Sequence, residues 1–382
     1  MDQLNEIISV KIDERLADGK EDAFYILDLE DVKMKYRKWV EKMPRVVPFF
    51  AVKSNNDMRI VKILADMGSS FDCASKAEIK KVLSLGVPPE RIIYANTVKQ
   101  VSELKFAADN HVMRVTFDCS AELLKIKEHH PTAQVVLRIR FDSPLLKFRL
   151  GKKFGCNPTL EAPGLIEMCR ELDMNLIGVS FHVGSGGKDV EVYKNGLEVA
   201  RDLFNVGEKF GFKMNFVDIG GGFAGYDMSY LDQYADSINS ALEEYFKDPS
   251  IMIIAEPGRY FVESAFTLAA QVILKKKTHD KKVHYYVNEG LYMSFQFKFQ
   301  LTEGNIEFDI IRKSGSVDGG KKVLSNIWGI TCSSTDFIIK KVFVPEFEMG
   351  DWLVFRNMGA YTTSSATEFN GFKIGEILML DM

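Results

Sequence analysis

One lysine, Lys53, directly follows the apolar run Pro48-Phe49-Phe50-Ala51-Val52 and is itself followed by the small polar residues Ser54 and Asn55. Burial at the end of such a strand disfavours the ammonium and favours the neutral amine, the nucleophile that forms a Schiff base with an aldehyde or ketone. Other reactive types stand at the ends of other short apolar runs: Asp72, Arg138, His182, the run Gly220-Gly221-Gly222, and Glu256-Pro257-Gly258-Arg259. Glycines let backbone N–H groups close on a phosphate, and arginine adds a forked cationic donor. Together these residues suit a phosphorylated aldehyde held by Lys53.

Positioning them requires regular elements. Strand-like runs at Val47–Val52, Ser70–Cys73, Arg91–Ala95, Val115–Asp118, Gln134–Arg140, Leu176–His182, Met214–Ile219 and Met252–Glu256 alternate with stretches of helical spacing. The helical stretches are Met58–Met67, Ala77–Leu85, Val101–Asp109, Ala121–Glu128, Leu165–Leu172, Asn195–Lys209 and Tyr230–Tyr245. Eight β-α units predict an α/β fold, a TIM-type (β/α)8 barrel whose reactive groups gather at the C-terminal ends of the strands; a doubly wound sheet is the runner-up. After Glu256 the texture becomes strand-like, at Val262–Leu274, His284–Asn288, Met293–Leu301, Ile306–Arg312, Phe337–Val344, Trp352–Phe355 and Ile377–Asp381, which predicts a C-terminal all-β domain. A further strand, Asp22–Asp28, precedes the barrel. The expected division is residues 1–30 as a segment joining the β domain, 31–260 as the barrel, and 261–382 as a β-sandwich or barrel domain. Lys313–Lys322 reads as a surface loop.

Composition excludes several other classes. The chain has 382 residues, 46% of them hydrophobic, enough for a large core and two domains. A net charge of −4 gives no basic footprint for nucleic acid. No apolar run is long enough to span a membrane, and the residues after Met1 lack the pattern of a signal peptide, so a cytoplasmic protein is expected. The five cysteines, Cys73, Cys119, Cys156, Cys169 and Cys332, form no CxxC pair, so neither a disulfide framework nor a metal site is expected.

The combined motifs resemble those of the eukaryotic ornithine decarboxylase family of pyridoxal-phosphate enzymes. The resemblance is carried by Pro48–Asn55, Phe71–Lys76, Arg91–Asn96, Phe181-His182-Val183-Gly184-Ser185-Gly186, Asp218–Phe223, Glu256–Tyr260 and Gly359–Phe372, spread over nearly the whole chain. It implies an alanine-racemase-like barrel with a β domain, pyridoxal 5'-phosphate as cofactor, and a homodimer whose active sites are shared between subunits. It further implies that Lys53 carries the cofactor, Glu256 keeps the pyridine nitrogen protonated, and His182 stacks on the ring. Gly221, Gly222, Ser185, Arg259 and Tyr361 would bind the phosphate, with Asp72, Glu78 and Arg138 lining the pocket. Cys332 of the partner subunit would help protonate Cα after CO₂ leaves, and Lys153 and Asp336 match a pair that bridges the dimer. Antizyme, for which Lys99–Lys125 with Lys105 and Lys125 retains the family's basic, amphipathic element, is a further partner the resemblance admits.

Each residue alone has a plainer reading. Lys53 or His182 could be an ordinary strand-end residue, glycines make turns, Glu256 and Arg259 could pair with each other, Cys332 could be inert, and Tyr361 could be a packing residue. Their joint presence favours an enzyme over a sequestering, antizyme-inhibitor-like protein. Family members acting on ornithine bind its distal ammonium with acidic residues, one just after the cysteine and one a dozen residues past an Asn-Asp-Gly. Here those positions hold Ser333 and, counted without gaps from Asn288-Glu289-Gly290, Leu301. A buried ammonium without its carboxylate costs roughly 3–5 kcal/mol. With Phe369 completing the substrate pocket, the expectation is a neutral, leucine-like amino acid as substrate. Ornithine decarboxylation to putrescine and a non-catalytic regulator are the alternatives, and a racemase or other decarboxylase on the same barrel is a third. Glu368 could restore an acid, but in an extended segment it would point away from the face that Phe369 uses.

Overall fold

The computed structural model describes residues 3–141, 143, 145, 147–185, 189–313 and 321–380. Among these are sixteen strands: β1 Phe24–Leu27, β2 Val46–Ala51, β3 Ser70–Cys73, β4 Ile92–Tyr94, β5 Arg114–Phe117, β6 Gln134–Ile139, β7 Asn175–Phe181, β8 Phe216–Asp218, β9 Met252–Ala255, β10 Phe266–Lys277, β11 Val283–Val287, β12 Asp309–Ile311, β13 Lys322–Trp328, β14 Phe337–Pro345, β15 Trp352–Phe355 and β16 Glu376–Met379. The chain divides into two compact units, Val32–Phe261 and Met1–Asp31 with Val262–Met382.

In the first unit β2 to β9 close into a parallel barrel, β9 pairing back onto β2 at Val46↔Ile253 and Pro48↔Ala255. Phe49, Ile93, Val136, Ile177, Phe216 and Ile254 from six of its strands pack as one buried cluster, so the barrel is a filled core rather than a pore. Helices follow the strands as their spacing predicts, each apolar stripe turned inward; Val192–Lys209, for example, buries Leu197, Ala200, Leu203 and Phe204. Local signals set the helix starts nearest the reactive residues. Asp57 accepts the Arg59 N–H at 2.9 Å ahead of Met58–Asp66. Ser75 accepts the Glu78 N–H at 3.3 Å ahead of Lys76–Leu83, while Glu78 reaches back to the Ala74 N–H at 2.6 Å.

The second unit holds an eight-stranded sheet in the order β12-β15-β10-β11-β13-β14, with β1 antiparallel to β10 and parallel to β16. A helix over Gln3–Ala17 covers it, Ile8 and Ile12 packing with Phe24, Ile26, Ile311, Trp352 and Val354. The helix and β1 thus belong to the β unit although they precede the barrel in sequence.

Three expectations in this unit need correction. The alternation over Met293–Leu301 reads as a strand, yet Leu291–Phe295 is a π-helical turn that continues as an α-helix, Gln296–Thr302. Met293, Ser294 and Phe295 all donate their N–H groups to the Gly290 carbonyl, which nucleates the turn, and Glu303 in the left-handed region (φ 55°) ends the helix. The segment at Glu368 is not extended either: Glu368 has φ −96° and ψ 38°, and Phe369–Gly371 is a short 3₁₀ turn. The strand expected from Val262 starts only at Phe266, because Arg259–Val262 is a single helical turn. Within the expected loop Lys313–Lys322, residues 314–320 lie outside the described residues, as does Gly186.

Candidate active site

At the C-terminal rim of the barrel, β2 runs into a 3₁₀ turn, Val52–Ser54, that carries Lys53. The Ser54 hydroxyl donates to the Ala51 carbonyl at 2.8 Å and the Ala51 N–H donates to Pro257 at 3.3 Å, so the lysine turn is tied to the loop after β9. A Cβ on Gly258 would lie 2.8 Å from the Ser54 Cβ, which accounts for glycine in that loop. The Lys53 ammonium forms an ion pair with Asp72, whose side chain is wholly buried at the end of β3. The other oxygen of Asp72, Oδ1, is buried and has no hydrogen-bond partner. Glu78, one turn further on, is pushed up by burial and by the Asp72 charge, while the Lys53 charge pulls it down.

Arg138 on β6 lies over the Phe154 ring at 5.0 Å. His182, just past β7, accepts the Gly184 N–H on Nδ1 at 3.0 Å, which leaves its proton on Nε2. Burial and then the charges of Arg138 and Lys53 hold its imidazole well below the usual histidine range, so the ring is neutral. Ser185 pairs through its backbone with Phe148, its carbonyl accepting the Phe148 N–H at 3.0 Å.

The turn after β8 is the tightest part of the rim. A Cβ at Gly221 would stand 3.0 Å from His182 Nε2 and 2.7 Å from the Glu256 carbonyl, and Gly222 has φ +108° with its Cβ position blocked by Gly184. The Tyr193 hydroxyl donates to the Gly221 carbonyl at 2.8 Å, and its ring stacks on Phe223 at 4.8 Å, which in turn meets Trp39 edge-on at 4.8 Å. This aromatic layer holds the glycine turn from behind. Glu256 completes the ring of residues, its N–H donating to the Gly220 carbonyl at 2.8 Å. The Asp218 carboxyl, also buried, accepts the Gly220 N–H at 2.8 Å. Both carboxyls are raised, first by burial and then, for Glu256, by the charges of Asp218 and Asp72. Arg259 opens the helical turn three residues beyond Glu256.

Asp218 and Tyr193 are the residues that motif reading passes over. Asp218 lies inside a recognised motif but reads as a strand end, and Tyr193 is a lone aromatic on a helix.

In the β unit the expected substrate-side residues form two groups. Tyr292 donates or accepts hydrogen bonds with Ser333 Oγ and Thr335 Oγ1, both at 3.0 Å, and its ring lies 4.7 Å from that of Phe369. Cys332 is exposed, and its N–H donates to Asn370 Oδ1 at 2.9 Å. Asp336 is buried beneath this loop, accepting Leu291 N–H at 2.6 Å, Thr331 N–H at 2.9 Å and Thr331 Oγ1–H at 2.6 Å. In the second group Phe297 packs on Tyr361 with ring centroids 4.7 Å apart, and Leu301 follows Phe297 by one helical turn. Glu368 is exposed.

Residues 29–263 match the family model described as pyridoxal-dependent decarboxylase, pyridoxal binding domain. Ornithine decarboxylase of Rattus norvegicus is 44% identical over 385 residues, spanning 96% of this chain and 82% of that protein. Antizyme inhibitor 2 of Xenopus laevis is 45% identical over 372 residues, spanning 92% of this chain and 79% of that one. Among solved structures, the arginine decarboxylase of Paramecium bursaria Chlorella virus bound to agmatine superposes with a TM-score of 0.93 at 37% identity, covering 98% of this chain and all of that one. The chain belongs to the ornithine decarboxylase family of pyridoxal-dependent decarboxylases.

The cofactor of this decarboxylase family is pyridoxal 5'-phosphate, and the rim suits it. Gly221 and Gly222 leave a backbone cradle that any Cβ would fill, Asp72 keeps a buried oxygen in reserve, and the buried carboxyls of Asp218 and Glu256 stand on the same rim. Among the described residues, no group of three or more His, Cys, Asp or Glu is placed to hold a metal ion, and no helix is long and apolar enough to cross a membrane.

Proposed function

We propose that this decarboxylase acts on an L-amino acid with an uncharged side chain, as a homodimer in which each active site uses both subunits. The observations that carry the substrate reading are the hydroxyl set around Tyr292 and, in the second group, the apolar helix face of Phe297 and Leu301. Ser333 meets Tyr292 and Thr335 in a closed set of hydroxyls, Leu301 shares a helix face with Phe297, and the Asp336 carboxylate is occupied by backbone and threonine donors. Among the described residues of this arrangement, the Asp336 carboxylate is taken up by its own loop and Glu368 is exposed. The hydroxyls offer a neutral rim, which favours a side chain that asks for no counter-charge.

Bound pyridoxal phosphate supplies an electron sink for the pair left on Cα when CO₂ departs. The chain's own residues then have defined tasks. Lys53 would hold the cofactor through its amine; Gly221, Gly222, Ser185, Arg259 and, as the family resemblance implies, Tyr361 would bind its phosphate. Neutral His182 would pack on the ring without adding charge, and Glu256 would serve the ring nitrogen. Asp72, Glu78 and Arg138 would form the pocket wall, and the Cys332 thiol of the other subunit would supply the proton for Cα.

Measuring CO₂ release from leucine, methionine and phenylalanine against ornithine, lysine and arginine tests this reading. Higher kcat/KM for the first group supports it, whereas a strong preference for ornithine returns the chain to the activity for which the rat relative is named. A second reading is favoured by the similarity to antizyme inhibitor 2. Lys105 is exposed on the helix Val101–Asp109, and Val98, Val101 and Leu124 are exposed apolar residues of the same stretch, a surface suited to an acidic partner with an apolar patch. Binding of purified antizyme by a colourless protein that takes up no cofactor would establish it.

A further inference from the structure

We propose that Lys35 is a positioning residue that braces the two loops at the phosphate end of the cofactor site, its side chain holding the loop after β8 and its backbone the loop after β9. The inference rests on the phosphate roles proposed above for Gly221, Gly222 and Arg259, and is independent of which amino acid is consumed.

Lys35 lies in the helix Leu29–Lys42, ahead of β2, and is only 1% exposed. A lysine is rarely buried so completely unless its ammonium is bound. That ammonium donates to the Gly225 carbonyl at 2.8 Å, three residues past Gly222. Lys38, on the same helix face, donates to the Met228 carbonyl at 2.8 Å and to the Asp232 carboxylate at 2.9 Å. The two lysines pin the outgoing end of the loop whose start forms the glycine cradle.

The same helical turn reaches the other loop. The Tyr260 hydroxyl donates to the Lys35 carbonyl at 3.1 Å, and the Lys35 ammonium stands 6.0 Å from the centre of the Tyr260 ring. Tyr260 is fully buried and directly follows Arg259, so its bond to Lys35 fixes the backbone that bears the guanidinium. Trp39, one turn beyond Lys35, meets Phe223 at 4.8 Å and Tyr260 at 5.4 Å, an apolar layer joining the two loops. Lys35 thus donates to one loop and accepts from the other. A phosphate held by backbone N–H groups on one side and a guanidinium on the other keeps its bonds only while that spacing is kept. Lys35 acts through these neighbours rather than on the phosphate itself.

Two variants cut the brace at different bonds: Lys35→Met removes the ammonium and keeps most of the side-chain volume, and Tyr260→Phe removes only the hydroxyl. Each apoprotein is titrated with pyridoxal 5'-phosphate and with pyridoxal, which has the aldehyde but no phosphate, by visible absorbance. Lys35→Met should bind the phosphorylated form about tenfold or more weaker while its affinity for pyridoxal stays within about twofold. Tyr260→Phe should shift the same preference by a smaller factor, and it gives the reading if Lys35→Met folds poorly. In Lys35→Met apoprotein, amide hydrogen exchange over residues 220–228 should also quicken. A phosphate preference unchanged in both variants, or an equal loss of both vitamers, overturns the brace alone. Equal affinity of the unaltered protein for the two vitamers removes the phosphate assignments, and the brace with them.

Discussion

At the barrel rim the polar groups are charged and buried: Asp72, Asp218 and Glu256 are all less than a tenth exposed, Asp72 paired with the Lys53 ammonium and Asp218 held by a backbone donor. Around Tyr292 in the β unit they are hydroxyls, and Cys332 and Phe369 beside them stand open, Phe369 at 42% exposure. The contrast separates two tasks. Removing one member of a buried charged set strands its partner, at a cost of several kcal/mol, whereas exchanging one exposed hydroxyl for another alters about 1 kcal/mol or less. The side that handles the cofactor is therefore costly to alter, and the side proposed to choose the amino acid is cheap to alter.

The largest effect expected on the cofactor side is at Lys53. Lys53→Ala should lower CO₂ release by about 10²–10⁴-fold, and borohydride reduction followed by mass analysis should find no modified peptide at that position. An unchanged rate would place the attachment elsewhere.

Next comes the exception within the β unit, Glu289, a fully buried acid bonded to Ser294 Oγ at 2.8 Å and to the Gly290 N–H at 2.9 Å. Burial raises it from 4.5 to about 7. Between those values the folded chain keeps a proton that the unfolded chain has released, so stability falls as pH rises through this window and levels off above it. The full fall is ~3 kcal/mol for this residue. Denaturant titrations across this range should show a shallower slope in Glu289→Gln; equal slopes would mean that Glu289 is not the group responsible.

Smaller again is the change expected from giving the two substrate-side groups of the β unit a charge. Ser333→Asp combined with Leu301→Asp should raise the ratio of kcat/KM for ornithine over leucine by about 10–100-fold. No movement in that ratio would remove these two positions from specificity. The smallest effect is expected behind the glycine turn. Tyr193→Phe keeps the stack on Phe223 and loses only the bond to Gly221, so pyridoxal phosphate should bind about two- to tenfold more weakly in a fluorescence titration.

The barrel was readable because its strands are short apolar runs separated by amphipathic helices, and each strand end that carried a reactive type proved to lie on one rim. The β unit was less readable. Met293, Phe295, Phe297, Phe299 and Leu301 alternate as a strand would, yet three N–H groups converging on the Gly290 carbonyl start a helix instead. A bond between Gly290 and a residue so near cannot be seen in hydropathy. β13, Lys322–Trp328, went unread because its charged start and clustered apolar residues show no alternation. Asp218 could be found by asking which acid lies beside Glu256 on the adjacent strand, a question that needs the register Asp218↔Ile254. Tyr193 has no such signal in the sequence, since its role depends on the helix lying against the Gly221 turn.

The Asp336 carboxylate grips main chain on two sides, at Leu291 and at Thr331, and glycines at 290 and 329 let those strands of chain close around it. Because the grip is on peptide groups, the loop bearing Cys332 is held like a gem in a bezel while the side chain at position 333 stays interchangeable. A laboratory seeking a decarboxylase for a new amino acid could therefore randomise position 333 and its hydroxyl neighbours while leaving the backbone under Cys332 undisturbed, and should keep Asp336, which holds that backbone.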